Sequence, residues 1–258
     1  MLGVPQDERG PLRGWSLAIL GALEPVLSQE QFDRGVAAVE EFKAYLADLV
    51  GRRLAEGSRD DGEILSTLID ASDFARQDSA SERLGKLELL HNCIFLLNAG
   101  HETTTNLIGN GIDLLICHPG AFAELLREPQ LIGSAVEEFL RMESSNQLGN
   151  RRAAKDTVLG GIAMPAGTYV HIGIGAANRD PAQFPDPERL DLRRQPNRHL
   201  AFATGIHACA GLSLARMEAE VAIGRFVRRF PGIERAGEPV RGGRARFRGF
   251  LRYPLRVA

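Results

Sequence analysis

Residues 202–211 read Phe202-Ala203-Thr204-Gly205-Ile206-His207-Ala208-Cys209-Ala210-Gly211, and a helical pattern begins directly behind them near Leu212. A cysteine at a helix N-terminus, with a histidine two residues before it that can carry positive charge, sits in a field that favours thiolate. The flanking glycines free the loop to wrap a planar ligand. A lone cysteine is most often an inert, buried small hydrophobe. Glycine, histidine and cysteine gathered before a helix form a much sharper pattern.

Downstream of this loop, Gly211 to Phe230 reads as helix, and Val240 to Val257 alternates Arg with Phe, Leu and Tyr in hairpin fashion. Arg241, Arg244, Arg246, Arg248 and Arg252 in that tail read as a solvated strand face in preference to an RNA or membrane patch. Upstream, 186–198 is loop-rich. From Asp156, TVLGGIAMPAGTYVHIGIGAANRDP mixes β-branched residues with Gly and Pro turn signals and predicts two or three short strands.

Helices dominate before that. Leu131 to Met142 is one, and a long central helix is expected from about Arg83 to Ile116, stopping before Pro119, with Ser79 to Glu82 suited to start it. Its middle, CIFLLNAG, is apolar on every side, as in a helix buried through the centre of a domain. Ile64 to Ile69 forms a shorter helix. Phe32, Val36, Val39, Phe42, Leu46, Leu49 and Leu54 mark the apolar face of an amphipathic one, which Gly57 to Gly62 breaks. Trp15 to Leu27, too short to span a bilayer, reads as a buried helix.

The chain's 258 residues allow one large domain or two small ones. Hydrophobic residues at 44% and charged residues at 25% match ordinary soluble proteins, so disordered and fibrous classes are excluded. A net charge of −2 asks for neither nucleic acid nor an anionic membrane. Cys93, Cys117 and Cys209 are scattered and odd in number, which argues against a disulfide framework or zinc ribbon and fits a reducing, cytoplasmic compartment.

Two local motifs fail on inspection. His101-Glu102 starts like a zinc-protease H-E-x-x-H, but position 105 is Thr; GIGAAN at 173–178 lacks the third glycine of a dinucleotide loop. The cluster Ala99-Gly100-His101-Glu102-Thr103-Thr104 is more telling, because polar groups inside an apolar helix are costly unless they are satisfied or face a cavity or water. The bland alternative is a satisfied core Thr with a surface Glu.

Taken together, these segments resemble the cytochrome P450 family. Phe202, Gly205, His207, Cys209 and Gly211 match its F-x-x-G-x-H-x-C-x-G loop; Ala99, Gly100, Glu102, Thr103 and Thr104 match A-G-x-[DE]-T-[ST]; Glu138 and Arg141 match E-x-x-R. AANRDP at 176–181 and NRHLAF at 197–202 look like bacterial members. The resemblance implies a mainly α fold with a small β region and Cys209 as the axial thiolate ligand of haem b iron. It implies that Glu102 and Thr103 relay protons through water toward dioxygen and that Arg151 and His207 contact the haem propionates. It further implies that Phe202, Gly205, Gly211, Ala99 and Gly100 shape the cofactor site and that Arg189 joins Glu138 and Arg141 to lock the core. On a surface, an i,i+3 pair such as Glu138 and Arg141 would contribute only a few tenths of a kcal/mol.

The implied activity is insertion of one oxygen atom from O2 into a small organic substrate, with electrons from a ferredoxin or flavodoxin and its reductase. Arg216, near the cysteine loop, is a candidate to dock an acidic carrier, against a solvated-helix alternative. Departures from the family pattern are Ala203 where Gly is frequent, Leu190 for the usual Phe, and Ser145 where many relatives have Pro. Residues 1–155 are expected to form a helical part with the central helix, and 156–258 the strands, cysteine loop and C-terminal hairpin, of a single partial domain. MLGVPQDERG resembles an internal segment of the family, so an N-terminal block is expected to be missing, with apolar surface exposed along the central helix. The rival reading is a truncated, non-catalytic relative or gene fragment with weak or no haem binding.

Overall fold

Residues 2–57, 62–73 and 83–257 are described by a computed structural model, in which Met1–Glu102 and Thr103–Ala258 are two compact units, each with its own apolar core. In the first unit, Ser28 opens the long helix with a capping box: its Oγ accepts the Gln31 amide at 3.2 Å, and Gln31 Oε1 accepts the Ser28 amide at 2.9 Å. This helix, α2 (Gln29–Glu56), packs on α1 (Leu12–Gly21), where Trp15 stacks on Phe42 at 5.1 Å between ring centroids. Phe42, Leu46, Leu49 and Val50 join Leu65 of α3 (Ile64–Asp70) and Leu89, Leu90 and Cys93 of α4 (Lys86–Cys117) in the core. Between α3 and α4, β1 (Ser72–Asp73) and β2 (Leu84–Gly85) pair in parallel. The expected helix start at Ser79 to Glu82 lies outside the described residues.

Three expectations change in this unit. The helix predicted over Trp15 to Leu27 ends at Gly21, leaving Leu23, Val26 and Leu27 exposed. Pro25 supplies no amide and biases Glu24 away from the α region. On α2, Phe32, Val36 and Leu54 are about half exposed, and the buried face at its N-terminal end runs through Gly35 and Ala38. A Cβ on Gly35 would stand 2.3 Å from that of Ala22, so the close approach of α1 selects small residues there. Finally, α4 is not buried on every side. Cys93 and Ile94 are inside while Phe95 is 66% exposed, in line with the expected apolar surface along this helix.

In the second unit the remaining turns of α4 meet α6 (Ile132–Met142) and α8 (Leu212–Arg229) around Leu107, Leu115, Phe139 and Ile223. A Cβ at Gly111 would lie 2.8 Å from Ile223 and 2.9 Å from Phe139, so the three helices close on a glycine. Pro119 both ends α4 and starts α5 (Pro119–Arg127), an element unread in the sequence, because proline suits the first helical position. Three of the expected strands are present: β4 (Thr157–Leu159) and β5 (Ile162–Met164) form a hairpin over Gly160 and Gly161, both at positive φ, and β6 is Tyr169–Gly173. The partner of β6, β3 (Leu148–Arg152), runs antiparallel from Leu148↔Gly173 to Arg152↔Tyr169; LGNRR has no β-branched residue to announce it. A four-residue helix, α7 (Ile174–Ala177), follows β6.

The tail pairs β7 (Glu234–Arg235) with β10 (Leu255–Arg256) and β8 (Val240–Arg241) with β9 (Phe250–Arg252). It returns to a polar stripe on α4. Asn110 Nδ2 donates to the carbonyls of Glu143 and Arg248 at 3.3 and 3.1 Å. Asp113 accepts from Tyr253 at 2.6 Å, Arg235 at 3.0 Å and Arg241 at 3.3 Å. Arg248 pairs with Glu143 at 3.5 Å. Much of the tail's positive charge is therefore matched internally. No helix among the described residues is long and apolar enough to cross a membrane.

Candidate functional site

The cysteine loop is a series of tight turns. Ala203 N donates to Leu200 O at 2.9 Å, and Ala203 then adopts φ 54°, the left-handed region that explains why glycine is frequent at this position. Gly205, at φ 70°, begins a single 3-10 turn, Gly205–His207, and Ala208 N bonds back to Gly205 O at 3.0 Å. The Cys209 amide donates to Phe202 O at 2.9 Å and closes the loop; Gly211 is the N-cap of α8. Residues 203–211 are all exposed, Cys209 included, and a Cβ on Gly205 would meet nothing within 4 Å among the described residues. An exposed soft sulfur on a loop rich in glycine and alanine fits a planar, sulfur-ligated metal cofactor such as haem.

The other expected residues sit as follows. His207 is exposed in the 3-10 turn, two residues before Cys209. Arg151 is exposed on β3, its Nη1 donating to Asn150 O at 2.8 Å. Ala99 and Gly100 are exposed on α4, where a Cβ on Gly100 would meet no described residue; Glu102 and Thr103 are half-buried and Thr104 is buried. Ser145, the departure from Pro, donates its hydroxyl to Thr103 O at 2.7 Å, a bond that Pro could not make.

Glu138 and Arg141 are wholly buried. They form a bidentate pair at 2.8 and 2.9 Å, which rules out the surface-pair alternative. Arg141 spends its remaining donors on the carbonyls of Asn178 (2.9 Å), Pro187 (2.8 Å) and Arg189 (3.3 Å), so its charge is buried with every N–H engaged. Glu138 also accepts the Asp191 amide at 3.0 Å, Asn197 Nδ2 at 3.1 Å, and Arg194 Nε at 3.1 and 3.2 Å. The guanidinium completing the core therefore belongs to Arg194. Arg189, the expected third member, contributes its backbone carbonyl to both Arg141 and Arg194. Asn178, the residue that spoiled the dinucleotide motif, joins this core: its side chain donates to Ser144 Oγ and accepts the Leu200 amide.

Arg216 is also placed differently from the expectation. It forms a two-point ion pair with Glu137, at 2.6 and 2.9 Å, and lies over the Phe202 ring, 4.8 Å from its centroid. A guanidinium engaged in this way is not a free cation for docking an acidic carrier. Burial opposes ionisation of Glu137, but hydrogen bonds from His199 and Arg216 outweigh it and hold this carboxyl at about 2.

Comparison with known proteins gives the same outline. The profile of the family "Cytochrome P450" matches residues 17–239. The biotin biosynthesis cytochrome P450 of Bacillus subtilis is 36% identical over 236 residues, covering 92% of this chain and 57% of that protein. Mycinamicin IV hydroxylase/epoxidase of Micromonospora griseorubida is 41% identical over 242 residues, 93% of this chain and 57% of the relative. The chain thus spans a little over half the length of these relatives. Among solved structures, P450BioI in complex with an acyl carrier protein ligated to hexadec-9Z-enoic acid superposes with a TM-score of 0.90 at 34% identity, over 100% of this chain and 64% of that one. Myxobacterial CYP267B1 in complex with myristic acid gives 0.87 at 40%, over 98% and 61%.

Proposed function

Since the chain belongs to the cytochrome P450 family, we propose that it is the haem-ligating part of a monooxygenase that inserts one oxygen atom from O2 into a small organic substrate. The observation that carries this reading is the exposed Cys209 thiol, set by the Phe202 carbonyl on a loop of small residues. Bound haem b supplies the oxidising chemistry. Cys209 would give it a soft, electron-rich ligand, and Phe202, Gly205 and Gly211 would form the surface that holds it.

Arg151 and His207 would meet its propionates as positive or hydrogen-bonding partners. By the family likeness, Ala99 and Gly100 would leave room for the cofactor, and Glu102 and Thr103 would hold and pass protons through water. Electrons come from a ferredoxin or flavodoxin with its reductase, in the cytoplasm.

The test is a carbon monoxide difference spectrum of the reduced full chain, purified after expression with adequate haem supply. A red-shifted Soret band typical of thiolate ligation is expected, and Cys209→Ala abolishes it. Absence of the band in the wild type supports instead the non-catalytic relative, whereas a band that survives in Cys209→Ala overturns the ligand assignment.

A further inference from the structure

Glu137 is adjacent to the buried Glu138 on α6 yet serves a separate cluster. Besides the two bonds from Arg216, it accepts from His199 Nε2 at 3.1 Å. His199 Nδ1 accepts the Ala201 amide at 3.2 Å, so the ring proton sits on Nε2 and is donated to Glu137. The His199 side chain is only 3% exposed, which makes this arrangement a packed one. Its ring also lies 6.1 Å from that of Phe202, so Phe202 is flanked by two side chains, Arg216 and His199, that share one carboxylate. Phe202 in turn supplies the carbonyl that accepts the Cys209 amide at 2.9 Å. The path from Glu137 to the sulfur-bearing residue is continuous: carboxylate, guanidinium and imidazole, aromatic ring, backbone carbonyl, cysteine amide.

We propose that Glu137 is a positioning residue for the cysteine loop, fixing Phe202 through Arg216 and His199 and so setting the direction and electrostatic surroundings of the Cys209 thiolate. This rests on the haem-thiolate reading above. Two physical effects follow from the geometry. Glu137 is the carboxylate that hydrogen-bonds both the guanidinium and the imidazole, and Glu220 acts on Arg216 only through its charge, so loss of the Glu137 carboxylate loosens both side chains, and the ring with them. The carboxylate also balances the Arg216 charge beneath the loop, so neutralising it leaves a net cation near the sulfur. That cation draws electron density from the ligand and moves the reduction potential of the bound cofactor upward.

Four forms of the full chain test this: wild type, Glu137→Gln, Glu137→Ala, and the double swap Glu137→Arg with Arg216→Glu. In the haem-free chain, amide hydrogen exchange across 202–211 is expected to quicken about tenfold in Glu137→Ala, the factor for loss of one charge-assisted hydrogen bond. In the haem-loaded chain, Glu137→Gln is expected to raise the reduction potential and to enlarge the fraction of the carbon monoxide complex without the red-shifted band. The swap restores both toward wild type. Unchanged loop exchange in Glu137→Ala, or a potential and band fraction in Glu137→Gln equal to wild type, overturns the proposal, as does a well-folded swap that behaves like Glu137→Ala. A wild type without the thiolate band sinks the functional reading instead, and loop exchange in the haem-free chain still decides the positioning role.

Discussion

Replacing Glu138 with Gln changes one heavy atom and is expected to be among the most damaging conservative substitutions in the second unit. The carboxylate is wholly buried and faces two guanidiniums, Arg141 at 2.8 and 2.9 Å and Arg194 at 3.1 and 3.2 Å. Gln keeps the volume but removes the one negative charge among the described residues in direct contact with Arg141 and turns one acceptor into a donor aimed at other donors. Breaking a buried pair by removing one partner costs about 3–5 kcal/mol, because the remaining charge stays out of water. At roughly 2–4 °C of midpoint per kcal/mol for a protein of this size, the expected fall is roughly 6–20 °C.

Glu234→Gln is the control. Glu234 lies 3.8 Å from Arg256, both side chains about 70% exposed, and such a pair is worth at most about 1 kcal/mol. Thermal unfolding of wild type and both variants by far-ultraviolet circular dichroism at neutral pH makes the comparison. If Glu138→Gln shifts the midpoint no further than Glu234→Gln, the charge at position 138 is not what holds the core and the reasoning is refuted.

Two smaller effects are expected elsewhere. Ala203→Gly removes the penalty of a left-handed φ, about 1–2 kcal/mol, while adding unfolded-state freedom of about 0.4–1 kcal/mol, so the net is a gain of up to roughly 1.6 kcal/mol, visible as a higher midpoint; a lower one contradicts it. Tyr253, pushed up to about 12 by burial and by its bond to Asp113, favours the neutral phenol in the folded chain. Its folded pKa lies above the unfolded value of about 10, so this contribution is whole below that pH and is lost as the pH rises toward 12. Tyr253→Phe should lower stability at neutral pH by about 1 kcal/mol and flatten the alkaline decline, measured by denaturant unfolding across that window; an unchanged alkaline slope would show the phenol is not responsible.

The parts of the site that were legible in the sequence are those set by local spacing. Cys209 with its glycines and the turn-spaced Glu138 and Arg141 each announce a geometry that needs no knowledge of the rest of the chain. Arg194 was not legible, since Arg189, Arg193 and Arg194 are equivalent in composition. Which guanidinium reaches Glu138 is decided by the path of the loop through Pro185, Asp186 at φ 47° and Pro187, whose carbonyls the buried arginines collect. Asn110 and Asp113 did carry a signal, a polar spacing of three along α4, but it was hidden by the apolar count of the same helix. Ser145 stood out only as a departure from Pro, and its bond to the Thr103 carbonyl is a long-range contact that pattern alone does not contain.

The stripe on α4 also has a temporal side. Asp113 and the Tyr253 hydroxyl it accepts are 140 residues apart, so at about 5–20 residues per second the ribosome delivers the second roughly 7–28 s after the first. Until Arg235, Arg241 and Tyr253 arrive in turn, 122, 128 and 140 residues later, Asp113 has water in their place, and the C-terminal hairpin joins a helix synthesised well before it. Nascent chains arrested before position 235 should therefore remain open to protease around 110–117 and become protected only once Tyr253 has left the exit tunnel.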